Sequence, residues 1–240
     1  MQKAIRTVKS KNMLARALPL QLSDYRPFNL PESELLMQLI DLDPVYQGSP
    51  EKFQVLESRQ LWHQTTHTFV KNSGHWLEFG VRTGDSIRWL LESRPQQQIH
   101  GFDSWEGLPE KWDVKGKVFK PGDMKVEIPD LGPTVHLHPG WFDQTLEPWC
   151  DKHPGDIAYL HIDSDLYSSA IYVLNTLNSR IVPGTVIVFD ELCNFRLTGK
   201  LSNWPQHEWR ALHEWQHTHK RKFQPVARTC MYQAAIEITE

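Results

Sequence analysis

From His75 onward, continuous apolar runs alternate with segments of helical period. HWLEFG precedes DSIRWLLESR, TVHLH precedes DQTLEPWCDKH, DIAYLHID precedes SAIYVLNTLNSR, and TVIVFDE precedes PQHEWRALHEWQHTH. IHGFD breaks the rhythm, because a long loop follows it. Short apolar runs bounded by turn signals suit strands buried on both faces, and their alternation with helices predicts a parallel sheet with crossover helices. At the tail, QPVAR and AAIEI have no helical pattern between them and predict a closing antiparallel hairpin. The first seventy residues read as helical instead. Pro31 opens PESELLMQLI, Ser49 and Pro50 read as N-cap and first position of a second helix, and Gly74 reads as a stop. The expectation is one α/β domain, with residues 1–74 as an arm and helices attached to a core of residues 75–240. A length of 240 residues fits one large domain.

Two of the strands end in carboxylates. Asp163 and Asp165 close DIAYLHIDSD, and Asp190 and Glu191 close TVIVFDE. Parallel strands bring such ends to one sheet edge, where open α/β sheets bind ligands. Converging carboxylate oxygens suit a hard cation such as Mg2+, which helps a nearby hydroxyl become a nucleophile. Asp165 also stands where it could cap the next helix. Capping does not account for all four. Asp163, still at the strand, would be a buried charge in need of a cation or a basic side chain. The cation is preferred, since no Lys or Arg flanks either cluster in the sequence.

The first predicted strand leads through Glu78-Phe79-Gly80-Val81-Arg82-Thr83-Gly84 into a helix beginning near Asp85 and Ser86. Glycines at such a turn let a ligand approach the backbone and the helix N-terminus. A dinucleotide fold would need a glycine where Arg82 stands, to make room for a pyrophosphate. An ExGxxxG turn suits S-adenosylmethionine, whose carboxylate meets the backbone and whose ammonium group Glu78 could hold. Asp103 ends IHGFD at the distance where an acid meets ribose hydroxyls. Trp141 and Phe142 follow the third predicted strand and are placed either to stack on adenine or to pack in the core. The segment from Ser104 to Pro133 is rich in Gly, Pro and Lys and reads as a lid or substrate wall.

Charge changes the picture little. A net charge of −3 gives no global basic field for nucleic acid, so a small-molecule substrate is expected. Lys3, Arg6, Lys9, Lys11 and Arg16 make the N-terminus basic, yet no apolar stretch there is long enough for a signal peptide or a membrane span. Cys150, Cys193 and Cys230 are odd in number and widely spaced, which fits a reducing cytoplasm. His213, Glu214 and His217 spell HExxH, the zinc-peptidase pattern. The third ligand of the metzincin pattern is missing, and Trp209, Leu212 and Trp215 offer that helix an apolar face, so packing is expected. Self-association as a homodimer or higher homo-oligomer stays open.

Five ordered motifs, LEFGVRTGDSI, GFDSWEGLP, HPGWFDQTL, HIDSDLYSSAIYVLNTL and PGTVIVFDE, resemble those of the macrocin-type O-methyltransferases, which act on sugars of macrolides and related natural products. The resemblance runs from about Trp76 to the C-terminus. It implies a Rossmann-like class I methyltransferase fold with a mostly parallel seven-stranded sheet, S-adenosylmethionine as donor and a bound Mg2+. By match of motif, Asp163, Asp190 and Glu191 fall on metal ligands, Asp165 on the proposed base and Asp103 on the ribose-binding acid. The expected cofactor set is Glu78, Gly80, Arg82, Thr83, Gly84, Ser86, Asp103, Ser104, Trp105, Trp141 and Phe142. Glu191 departs from the pattern, which often has a second aspartate there. The expected enzyme is thus a Mg2+-dependent O-methyltransferase acting on a hydroxyl of a sugar-bearing or other small molecule. The alternatives are metal-free transfer to a nitrogen or phenol, or a non-catalytic cofactor-binding protein. Should Asp165 not be the base, His136 and His138 are next in line.

Overall fold

A computed structural model describes residues 34–45, 52–114, 117–195 and 203–240. The basic arm and the helix starts expected at Pro31 and at Ser49-Pro50 lie outside the described residues. Two N-terminal helices, α1 (Glu34–Asp41) and α2 (Lys52–Thr66), precede β1 (His75–Phe79). Then follow α3 (Asp85–Ser93), β2 (Ile99–Asp103), β3 (Trp112–Val114), β4 (Lys117–Phe119), β5 (Val135–Pro139) and α4 (Phe142–Lys152). The chain continues through β6 (Ile157–Ile162), α5 (Tyr167–Leu177), β7 (Ile181–Phe189), α6 (Glu208–His219), β8 (Phe223–Arg228) and β9 (Ala234–Ile238).

The main sheet has seven strands in the order β5-β2-β1-β6-β7-β9-β8. β5, β2, β1, β6 and β7 run parallel, and β9 pairs antiparallel with both β7 and β8. The expected parallel sheet with a closing hairpin is therefore observed. β6 is buried at every position, as its apolar run requires of a strand covered on both faces. One face packs Trp62, Trp76, Ile87 and Tyr159; the other packs Leu146, Leu174, Trp209 and Trp215. The strand order reverses between β1 and β6, and this switch point opens the crevice that a ligand enters. Across that junction Glu78 of β1 stands in register with His161 of β6.

The segment after β2 is partly ordered by its own chemistry. β3 and β4 pair as a small antiparallel hairpin, with Trp112 stacked on Phe119 at 5.2 Å between centroids. Cys150, Cys193 and Cys230 form no disulfide. Among the described residues no helix is long and apolar enough to cross a membrane.

Candidate active site

At the end of β1, Gly80 turns with φ 95°, and a Cβ there would stand 1.8 Å from the carbonyl oxygen of Asp163. Only glycine lets this turn cross the end of β6 so closely. Arg82 follows at φ 49° and Trp105, after β2, at φ 55°. Such left-handed backbone is costly for side chains of this size and persists where surrounding bonds fix it. Asp103 supplies those bonds. Its Oδ2 accepts from the Arg82 N–H and its Oδ1 from the Trp105 N–H, both at 2.7 Å, while the Trp105 indole donates to the Arg82 carbonyl at 2.9 Å. Each Asp103 oxygen keeps a lone pair for a further donor, such as a ribose hydroxyl.

A cavity of about 750 Å3, the size of a small-molecule site, opens beside this turn. Gly80, Arg82, Asp103, Ser104, Trp141 and Phe142 line it. Phe142 meets Phe79 edge-on at 5.2 Å, so it serves both cavity wall and core. The other expected cofactor residues have different surroundings. Glu78 is buried, with Oε1 accepting from the Ser86 hydroxyl at 2.5 Å and Oε2 at 3.0 Å from His161 Nδ1. Each oxygen accepts one bond and keeps a lone pair, so Glu78 braces the turn, and the ammonium contact expected from the sequence would share these oxygens. Burial works to lower the His161 pKa, but Glu78 raises it further, and the net direction is upward. Thr83 is exposed and donates to Asp85 at 3.1 Å. Gly84 starts α3 at φ 79°, and Trp105 is buried.

The carboxylates line the same cavity. Oxygens of Asp163, Asp165 and Glu191 lie within 4.8 Å of one another. Asp165 adopts φ 60°, which Asp tolerates better than most residues, one place before Leu166, the N-cap of α5. The N-cap residue itself, Leu166, has an apolar side chain and makes no cap bond. Asp190 lines the same cavity beside the trio. It is 2% exposed and accepts from Arg59 of α2 at 2.8 Å and from Gln233 at 3.3 Å. Arg59 also stands 3.9 Å from Asp163. The expectation that no basic side chain serves the cluster is thus corrected: the partner is remote in sequence and arrives by the docking of α2.

Glu208, in the first turn of α6, is fully buried and accepts from the Glu191 N–H at 3.0 Å and the Ser164 N–H at 3.4 Å. It ties the two carboxylate-bearing loops together from behind. Burial, then Asp190, lifts Asp163 to about 7 against the pull of Arg59 and His161. Asp165, Glu191 and Glu208 are all pushed well above the ordinary carboxylate range, first by burial and then by neighbouring carboxylates. Burial alone would raise Asp190 too, but Arg59 and the nearby histidines hold it below its usual value.

This surplus of negative charge fits a hard divalent cation. The converging donors are all oxygens, and Glu191 Oε2 is buried without a hydrogen-bond partner. Asp163, Asp165 and Glu191 form the convergent set, and Asp190, expected as a ligand, lies next to it with one oxygen bonded to Arg59 and the other to Gln233.

Leu108, Pro109, Trp112 and Met124 from the segment after β2 form another wall of the cavity, as a substrate wall would. His138 stacks on Phe102 at 4.6 Å and pairs with His100 at 3.0 Å; burial, then His153, lowers its pKa to about 4. It is built into an imidazole stack at the sheet edge. In the HExxH segment, His213 packs edge-on against Trp209 at 4.4 Å, and Glu214 accepts from Tyr167 at 2.8 Å. Among the described residues these three form no convergent ligand group.

Residues 77–192 match the family model of a methyltransferase domain. No curated protein matches the chain in sequence. Among solved structures, the calicheamicin methyltransferase CalS11 aligns at 21% identity over 78% of this chain and 80% of its own, with a TM-score of 0.61. Its apo form, described as a TDP-rhamnose 3'-O-methyltransferase of calicheamicin biosynthesis, aligns at 20% identity over the same shares with a TM-score of 0.54. The O-methyltransferase NovP aligns at 18% identity over 78% of this chain and 80% of its own, with a TM-score of 0.53. At these identities the likeness establishes a Rossmann-like methyltransferase fold.

Proposed function

We propose that this protein, an enzyme built on a methyltransferase domain, moves the methyl group of S-adenosylmethionine to a hydroxyl of a sugar-bearing small molecule. One observation carries the reading: a half-buried carboxylate trio opens on the same cavity as the glycine turn and Asp103. CalS11 is described as methylating a sugar nucleotide, and that likeness supports the choice of acceptor class. The motifs that resemble the macrocin-type family support it further. A cytoplasmic setting fits three cysteines that form no disulfide.

In this reading Asp103 receives the ribose hydroxyls, Trp141 and Phe142 cover the adenine, and the backbone around Gly80 and Arg82 meets the amino-acid end. The acceptor oxygen attacks the methyl carbon in line; the new C–O bond forms as the C–S bond breaks, leaving neutral S-adenosylhomocysteine. Asp165 takes the hydroxyl proton. Its elevated pKa makes it a stronger base than an exposed aspartate, provided it is ionised when the acceptor binds. Because the reaction neutralises the sulfonium charge, alignment and exclusion of water are the main contributions of the chain. Asp163 and Glu191, with Asp165 beside them, would hold a divalent ion, which when bound supplies charge stabilisation to the acceptor hydroxyl.

Arg59 favours a second reading. A guanidinium already stands between Asp163 and Asp190, and it could provide the positive charge in a metal-free enzyme. Methyl transfer from labelled S-adenosylmethionine to a panel of sugar nucleotides and glycosides separates the two. Loss of transfer in EDTA with recovery in Mg2+ supports the first reading. Full turnover in protein proven metal-free by elemental analysis supports the second, and cofactor binding with no transfer to any hydroxyl overturns both.

A further inference from the structure

We infer that His63, His161 and Asp190 form a separate, buried site for a transition metal of the zinc type. His63 comes from α2, His161 from near the C-terminal end of β6, and Asp190 from the residue after β7; they are 1%, 0% and 2% exposed. One ligand atom from each lies within 4.8 Å of the others. Nε2 of His63 and Nε2 of His161 are both buried without a hydrogen-bond partner. Two imidazole nitrogens orphaned side by side beside a carboxylate mark a place where something binds.

The surroundings fit a metal. His161 Nδ1 meets Glu78 Oε2 at 3.0 Å, the outer carboxylate that commonly fixes the ring of a metal-binding histidine. Nε2 is then the position left for a metal ion. Arg59 and Gln233 each bond one Asp190 oxygen and leave further lone pairs on both. Two imidazoles and one carboxylate select zinc or a neighbouring first-row ion over magnesium, whereas the all-oxygen trio beside them selects the reverse. Adjacent residues, Asp190 and Glu191, thus belong to different chemistries. The ion's role is to fasten α2, which carries Arg59, to the two central strands. The inference stands on these contacts and does not depend on the proposed methyl transfer.

The test uses the full chain, stripped with a chelator and titrated with zinc alone, alongside the variants His63→Gln and Glu191→Gln. One equivalent of zinc should bind tightly to the wild type and to Glu191→Gln. His63→Gln should lose affinity by about 100-fold or more, since even outer-shell losses reach 10- to 100-fold. Pulsed electron paramagnetic resonance on Cu2+-loaded wild-type protein should show coupling to two imidazole nitrogens, a readout that survives should His63→Gln fail to fold. Absence of zinc binding, zinc binding lost in Glu191→Gln but kept in His63→Gln, or a copper spectrum without nitrogen coupling would each overturn the site. None of these outcomes bears on whether methyl transfer occurs.

Discussion

Replacing Arg59 with Met keeps an unbranched stem and removes the guanidinium. Asp190, with 3% of its side chain exposed, then loses the cation that stood 2.8 Å away. Removing one partner of a buried ion pair costs about 3–5 kcal/mol; Arg59 itself is 37% exposed, so solvent screens part of its effect and about 3 kcal/mol is expected. In a chain of this size each kcal/mol moves the melting temperature by about 2–4 °C, so Arg59→Met should melt about 6–12 °C lower in chelator near neutral pH. Because Asp190 is held below its usual pKa, the stabilisation from the pair is present above the unfolded carboxylate pKa and fades only as acid titrates the folded form. Adding Asp190→Asn to Arg59→Met should recover much of the loss, since the orphaned charge is gone. Mg2+ should bind Arg59→Met more tightly than wild type, because a positive charge beside the carboxylates has been removed. Calorimetric melting of the two single variants and the double variant gives the coupling directly. An unchanged melting temperature in Arg59→Met, or simple additivity in the cycle, would show that the pair does not stabilise the fold.

Three further outcomes are expected. Asp103→Ala removes charge-assisted bonds worth roughly 1.5–3 kcal/mol and should weaken S-adenosylhomocysteine binding tenfold or more, as titration calorimetry would show. Asp165→Asn should lower turnover by about 100- to 10,000-fold with cofactor affinity and melting temperature nearly unchanged; a loss of stability with intact turnover per folded molecule would point away from a base. Asp163 titrates at about 7 in the folded protein, so between the ordinary carboxylate range and that value the folded state holds a proton the unfolded state lacks. Stability in chelator from this group should therefore decline as pH rises across that window, while Mg2+ affinity climbs across it, and a Mg2+ affinity flat with pH would contradict the assignment.

What could be read from the chain was what local pattern encodes. The buried strands, the glycine turn, the carboxylates at the strand ends and the terminal hairpin all follow from runs, turns and spacing, and the structure has them. Contacts between distant elements were not legible. Arg59 lies on a helix whose docking angle decides which strand end it meets, and no spacing rule reports that angle. Glu208 was hidden inside a segment whose HExxH drew attention to His213 and His217; its position in the first turn of α6, facing the strand ends, was the available signal. Glu78 was read as a cofactor residue from its place in the turn; its side chain also meets His161 because β1 and β6 are neighbours in register. The sequence alone does not contain that adjacency.

The place of β9 bears on how such a chain is made. Residues 234–238 follow β8 in synthesis yet lie between β7 and β8 in the sheet, so β8 joins the other strands through a strand translated after it. While the nascent chain still lacks those residues, the exposed edge of β7 has no antiparallel partner there, and the apolar side of β8 waits for its neighbour. The parallel half can gather as it emerges, since domains tend to assemble from the N-terminal side during translation. Closure of the antiparallel half falls to the final stretch. A chain cut before residue 234 would leave the β7 edge as an open seam, and the seam is where a chaperone or a second copy would bind.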